Sequence, residues 1–244
     1  MKDIAQEFME KTKYQYLGES DQSKGLPQPP LEVAYDLSKP KINLPSPTDL
    51  PYGQKAFIDV INNRRSLRQY SDKALLQEEL AYLLWCTQGV MKEKPSVATL
   101  RTVPSAGARH AFETYLLINR VEGLKPGLYR YLALEHKLIE ENMENNIAKG
   151  LVAGCKGQKT LESSAVAFIW AADAGRMKWR YDVRGYRYMH LDAGHVCQNL
   201  YLASESIECG TCAIAAFDDD EMNHILGLDG EQEFVIYVAT VGKK

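Results

Sequence analysis

A chain of 244 residues, 45% hydrophobic and 25% charged, has the composition of an ordinary soluble protein with one well-buried core. Its formal net charge of −3, with the basic residues scattered, provides no broad field for nucleic acid or an anionic membrane surface. The longest strongly apolar run, AVAFIWAA from Ala165 to Ala172, is far short of the roughly 20 residues of a membrane span. The start, MKDIAQEFMEKT, has no apolar signal core, and five cysteines, an odd number, point to thiols in a reducing compartment rather than a disulfide framework. The expectation is a cytoplasmic protein with neither nucleic-acid nor membrane partners.

In chain order, a short helix over Ile4 to Lys11 precedes a stretch from Pro27 to Pro51 that holds seven of the ten prolines and no apolar periodicity, which predicts an extended arm. Residues 1–53 therefore separate from a folded unit over 54–244. Gln54 to Asn63 is predicted as a helix, RRSLRQYS as a polar loop, and Leu76, Leu80, Leu83 and Leu84 as the stripe of a helix running to Gln88 and closed by Gly89. PSAGARH is loop chemistry leading into a strand over Phe112 to Ile118, with GLYRY from Gly127 as its hairpin partner. Ala165 to Ala171 has strand length. Met189, Ala193, Val196, Leu200, Ala203 and Ile207 then mark the longest helix. Thr211 to Ala215 is a short strand, Asp218 and Glu221 cap a helix that stops at Gly227, and EFVIYVATVG is a buried strand. This irregular alternation predicts an α+β fold with an antiparallel or mixed sheet.

Most candidate chemistry fails on spacing. Cys209 and Cys212 form a C-x-x-C that enters a strand after a long helix, the reverse of the order that activates a thiolate, and no second pair completes a zinc site. There is no G-x-G-x-x-G after a strand, GLVAGCKGQKT lacks P-loop spacing, and no G-x-S-x-G is present. Asp192, His195 and Asn199 share a helix face, yet His190 and His195 are five apart, which does not make a zincin motif. The loop NNRRSLRQYS differs: Arg64, Arg65, Ser66 and Arg68 concentrate three fixed cations and a hydroxyl, an arrangement that an anion would relieve. GKK follows the last strand and brings Lys243 and Lys244 as further candidates, with phosphate as the obvious anion.

Taken together, NRRSLRQYS, EELAYLLWCTQGV, PSAGARHAFETYLLI, YRYMHLDAGHVCQNLYLASE and GTCAIAAFDDDEMNHILGL, in this order, resemble the FMN-dependent nitroreductase family over residues 55 to 244, nearest the branch that includes thiazole/oxazole-forming peptide dehydrogenases. The resemblance implies a nitroreductase-like α+β fold, a central mostly antiparallel sheet flanked by helices, in an intertwined homodimer. It implies Arg64, Arg65 and Ser66 with Lys243 or Lys244 at the FMN phosphate, and Arg68 facing the N1/C2 edge, where a cation raises the flavin's electron affinity. Ala213, Ile214, Ala215 and Ala216 would bring main-chain N–H groups to N5, and Pro104, Ser105, Ala106 and Gly107, with Ala108, would cover the ring from the other subunit. Ala215 and Ala216 stand where the family often has two glycines, which narrows access to the flavin edge. Cys212 stands where the family commonly has a non-redox cysteine, and Cys209 where leucine is usual. The peptide dehydrogenases have a Lys-Tyr pair where this chain has Arg180 and Tyr181; arginine cannot accept a proton, which leaves Tyr181 as a candidate donor. The implied activity is hydride transfer from NAD(P)H to a nitroaromatic, quinone or similar small acceptor. A peptide azoline dehydrogenase in a modification complex and a flavin-binding protein without turnover are the alternatives.

Overall fold

The computed structural model describes residues 3–47 and 50–244. Its frame is a seven-stranded sheet in the order β1-β6-β5-β4-β7-β9-β8, formed by β1 (Lys41–Asn43), β4 (Phe112–Ile118), β5 (Gly127–Leu132), β6 (Lys137–Asn142), β7 (Val166–Asp173), β8 (Cys209–Ile214) and β9 (Glu233–Lys243). Every neighbouring pair is antiparallel. A separate hairpin joins β2 (Val90–Lys94) to β3 (Ala98–Arg101).

Period-two alternation divides the interior into two cores. From β4 and β7, Leu116, Ile118, Phe168 and Trp170 face one side, where α3 (Gln77–Gln88) and the long α7 (Gly185–Ser206) supply Leu80, Leu83, Met189 and Leu200. Tyr115, Leu117, Ala167 and Ile169 face the other, against α4 (Ile147–Gly154), α5 (Thr160–Ser163) and α8 (Asp219–Leu226). Because β4 and β7 are covered on both faces, β7 reads as a continuous apolar run up to Asp173, and β4 is buried throughout, with Glu113 and Thr114 among its buried residues.

The predicted helix over Ile4–Lys11 forms as α1, and the Asp218 cap and left-handed Gly227 stop of α8 are present. The helix placed at Gln54 begins later, as α2 (Phe57–Asn63), and the long helix begins at Gly185. Gly89 ends α3 without a left-handed turn (φ −57°); a Cβ there would meet the Trp85 ring at 2.4 Å, so close packing requires the glycine. An unpredicted helix, α6 (Ala174–Tyr181), leaves β7 with Asp173 as its cap.

The proline-rich arm lies along its own chain. Gln22 N–H donates to Trp179 O (2.8 Å), Trp179 Nε1 to Leu26 O (2.9 Å), and Gln28 Nε2 to Val97 O (2.9 Å). Farther on, Val33 N–H donates to Glu113 Oε1 (3.0 Å), and β1 pairs with β6. These contacts anchor the arm along its own subunit.

Candidate functional site

The Arg64–Arg68 loop is fixed by the sheet beside it. Arg64 N–H closes the last turn of α2 onto Val60 O (3.0 Å); Ser66 bridges Thr211 of β8, with Leu67 N–H donating to Thr211 O at 2.9 Å. A Cβ on Gly210 would meet Leu67 Cδ2 at 2.4 Å, so this glycine permits the loop to lie on the strand. Tyr201, from α7, ties the two together. Its hydroxyl accepts from Ala213 N–H (2.9 Å) and lies 3.0 Å from Ser66 Oγ, while the Arg64 guanidinium sits over its ring at 5.2 Å. Arg65 Nη1 donates to the carbonyls of Asn62 and Arg64, each at 2.8 Å. Among the described residues, no carboxylate is paired with Arg64, Arg65 or Arg68. Ala215 and Ala216 follow β8 in exposed loop.

Lys243 and Lys244, by contrast, are already neutralised. Lys243 is paired with Glu79, and Lys244 Nζ with Glu205 Oε1 at 2.6 Å. Both acids are 5% exposed, and Glu79 also accepts Leu76 N–H (2.9 Å) at the start of α3. Burial alone would lower the Lys243 ammonium, but the Glu79 hydrogen bond and charge outweigh it and hold the group above its ordinary value. The structure thus gathers Arg64, Ser66 and Ala213 around Tyr201, turns Arg65 back onto the carbonyls of Asn62 and Arg64, and places the two lysines in pairs of their own. Tyr201, Glu79 and Glu205 had been assigned no role from sequence; their only signal was a place in the quoted motifs.

The Pro104–Ala108 loop is organised by α7 and α6. Ala106 N–H donates to the Asp192 carboxylate (3.2 Å to Oδ2), and His110 N–H to Ser105 Oγ (2.9 Å). Burial pushes the Asp192 carboxyl up, opposed by the Ser105 hydroxyl and Ala106 N–H. Gly107 has φ +57°, and a Cβ on it would meet the Tyr181 hydroxyl at 2.4 Å and Arg180 Cδ at 3.0 Å. Tyr181 therefore packs against this loop. Asn199 donates to Cys86 O and His195 is exposed, so the residues sharing a helix face with Asp192 do separate work. Asp192 and Tyr201 are nine residues apart on α7, about 13 Å along the axis and half a turn around it. The Pro104–Ala108 loop and the arginine loop of one chain accordingly lie on opposite flanks of this helix.

Residues 61–243 match the model of the Nitroreductase family. The chain belongs to this family. It is 33% identical over 186 residues to a candidate nitroreductase of Methanocaldococcus jannaschii, covering 76% of this chain and 90% of that one. It is 27% identical over 205 residues to a trifolitoxin-processing protein of Rhizobium leguminosarum bv. trifolii, covering 79% of this chain but 53% of that protein, so it spans about half the length of this relative. Among solved structures, a candidate nitroreductase from Anabaena variabilis superposes with a TM-score of 0.70 at 27% identity, over 87% of this chain and 45% of that one. Another, from Desulfovibrio desulfuricans, was solved in complex with FMN; it shares the fold (TM-score 0.54, 16% identity, over 78% of this chain and 87% of that one).

Within this nitroreductase-family fold the C-x-x-C pair is structural. Three residues apart on one strand, Cys209 and Cys212 point to opposite faces of β8. Both are buried and free, and burial pushes the Cys209 thiol up to about 12. Among the described residues no three metal-ligating side chains gather. Arg64 and Arg65 fit an FMN phosphate, because the Tyr201 ring and two main-chain carbonyls hold them in place and among the described residues neither has a carboxylate partner.

Proposed function

We propose that the protein is an FMN-dependent oxidoreductase of nitroreductase type, working as a homodimer with NAD(P)H as donor and a nitroaromatic, quinone or similar small molecule as acceptor. One observation carries this proposal: three guanidiniums that have no carboxylate partner among the described residues sit on a loop bridged to β8, inside a family whose resemblance assigns that loop to FMN. Bound FMN would supply the chemistry, a ping-pong hydride transfer through N5. The protein's task is to bind, orient and tune. Arg64, Arg65 and Ser66 would hold the phosphate, joined by Lys243 or Lys244 only if Glu79 or Glu205 gives up its partner; Arg68 would face the N1/C2 edge, and the main chain of Ala213–Ala216 would approach N5. Pro104 to Gly107 would cover the ring from the partner subunit, a role supported by that loop's place on the far flank of α7 from its own arginine loop.

The test is a visible spectrum of the protein after incubation with FMN and desalting, followed by anaerobic NADH or NADPH. A flavin band that bleaches supports the oxidoreductase. A band that persists unbleached favours flavin binding without turnover, and absence of a band defeats the FMN assignment.

A second reading, peptide azoline dehydrogenation, is favoured by similarity to a trifolitoxin-processing protein and by the packing of Tyr181 on the covering loop. It requires a heterocyclised peptide to be oxidised in a Tyr181-dependent manner. Oxidation unchanged by Tyr181→Phe would defeat it.

A further inference from the structure

Beside Gly107 lies a second group of uncompensated cations. Arg109 is buried at the C-terminal side of the covering loop, where Nε donates to Gly107 O (3.0 Å), Nη2 donates to Val97 O (3.1 Å), and the guanidinium lies over the Trp179 ring at 5.3 Å. Arg180, on α6, reaches the same glycine from the other side: its Cδ and Nε lie 3.0 and 3.1 Å from where a Gly107 Cβ would stand. Its guanidinium is exposed and sits 5.6 Å over the Tyr181 ring, and the Tyr181 hydroxyl completes the cluster against Gly107. The two arginines feel each other; burial first, and then the Arg180 charge, hold Arg109 below its ordinary range.

Carboxylates nearby are otherwise engaged. Asp192 accepts from Ala106 N–H, Asp182 from Gly18 N–H (3.2 Å), and Asp173 is paired with Arg176. Among the described residues neither Arg109 nor Arg180 has an ion-pair partner. Arg109 is fixed by carbonyls and a ring, so its charge is a permanent background. Arg180 retains a planar fork of donors directed to solvent beside a phenol donor, a geometry matched by a planar oxyanion.

We propose that Arg180, with the Tyr181 hydroxyl beside it and Arg109 behind it, forms an oxyanion subsite at the mouth of the active site, taking a carboxylate or phosphate group of the molecule that meets the flavin. The proposal rests on the FMN assignment above and on the covering role of the Pro104–Gly107 loop. Two sources carry this chemistry, a carboxylate on the electron acceptor and the phosphates of the nicotinamide donor.

Arg180→Gln distinguishes them. If the acceptor is the source, the KM for 4-nitrobenzoate rises about tenfold relative to that for its neutral amide, 4-nitrobenzamide, the loss expected for one charge-assisted contact. If the donor is the source, the KM for NADH in anaerobic flavin reduction rises by a similar factor and the nitrobenzoate-to-amide ratio stays put. Arg180→Lys, which keeps the charge without the fork, recovers part of either effect. Calorimetric titration of the as-purified protein with benzoate and with pyrophosphate provides a readout independent of turnover, and the variant should weaken one of the two. Equal KM changes for the acid and the amide, or unchanged KM ratios together with unchanged calorimetric binding, would overturn the subsite. Protein without flavin or turnover defeats the FMN assignment instead, and the calorimetry still decides the fate of Arg180.

Discussion

The arginine loop and the lysines should separate cleanly under mutation. In Arg64→Ala with Ser66→Ala, two contacts to phosphate disappear, each about 1.5–3 kcal/mol, so the dissociation constant for FMN should rise by about two to four orders of magnitude. Lys243→Ala should behave otherwise. For Lys243 to bind phosphate it must leave Glu79, so one charge-assisted contact replaces another and the net contribution to affinity is small. Its removal leaves the Glu79 carboxylate, 5% exposed, with Leu76 N–H as its remaining partner. Leaving a buried charge unpaired costs about 3–5 kcal/mol, and the surviving N–H bond places this case near 3. At about 2–4 °C per kcal/mol for a chain of this size, the apoprotein Tm should fall by about 6–12 °C. Lys243→Met combined with Glu79→Gln buries no charge and should recover much of that loss. The assays are flavin fluorescence titration of apoprotein and thermal unfolding followed by circular dichroism. A Lys243→Ala variant that loses flavin affinity as severely as the arginine-loop variant, with its Tm unchanged, would refute this division of labour.

Three further outcomes are expected. His110 is 5% exposed, and burial, with the nearby Arg101 charge, lowers its imidazole to about 3. A depressed histidine contributes stability that is present above its unfolded value near 6.5 and lost as pH falls toward 3, about 5 kcal/mol as an upper bound; urea unfolding across pH 7 to 4 should show the slope, and His110→Gln showing the same slope would be contrary to it. Gly107→Ala should cost about 1–3 kcal/mol from the contact with Tyr181, and Tyr181→Phe in the same chain should return part of it; strict additivity of the two Tm changes would remove that contact as the cause. In native protein, a thiol reagent at pH 8 should label Cys209 and Cys212 only on unfolding, whereas rapid labelling of either would restore the case for a reactive pair.

Much of the frame was legible because its signals are local. FETYLLI and GLYRY have strand composition, and they form β4 and the start of β5; the Asp218 cap and Gly227 stop of α8 involve backbone within a few residues. The basic loop was legible as well, since three arginines and a serine within five residues need no partner to be noticed. Less visible were α6 and the β2–β3 hairpin, both short and rich in polar residues, with no apolar stripe to declare a period.

What the sequence by itself determined is the family, the main strands and helices of the frame, and a loop that concentrates three arginines and a serine. Which charges remain available was decided only by the tertiary structure. Lys243 and Lys244 look as free in the sequence as Arg64 does, and nothing local relates them to Glu79, more than 160 positions earlier, or to Glu205. The same holds for Tyr201, which meets Ser66 and Ala213 because α7 packs across the sheet, and for Arg180, which meets Gly107 because α6 packs beside the Pro104–Ala108 loop. Charge compensation depends on distances between segments remote in the chain, and folding alone sets those distances.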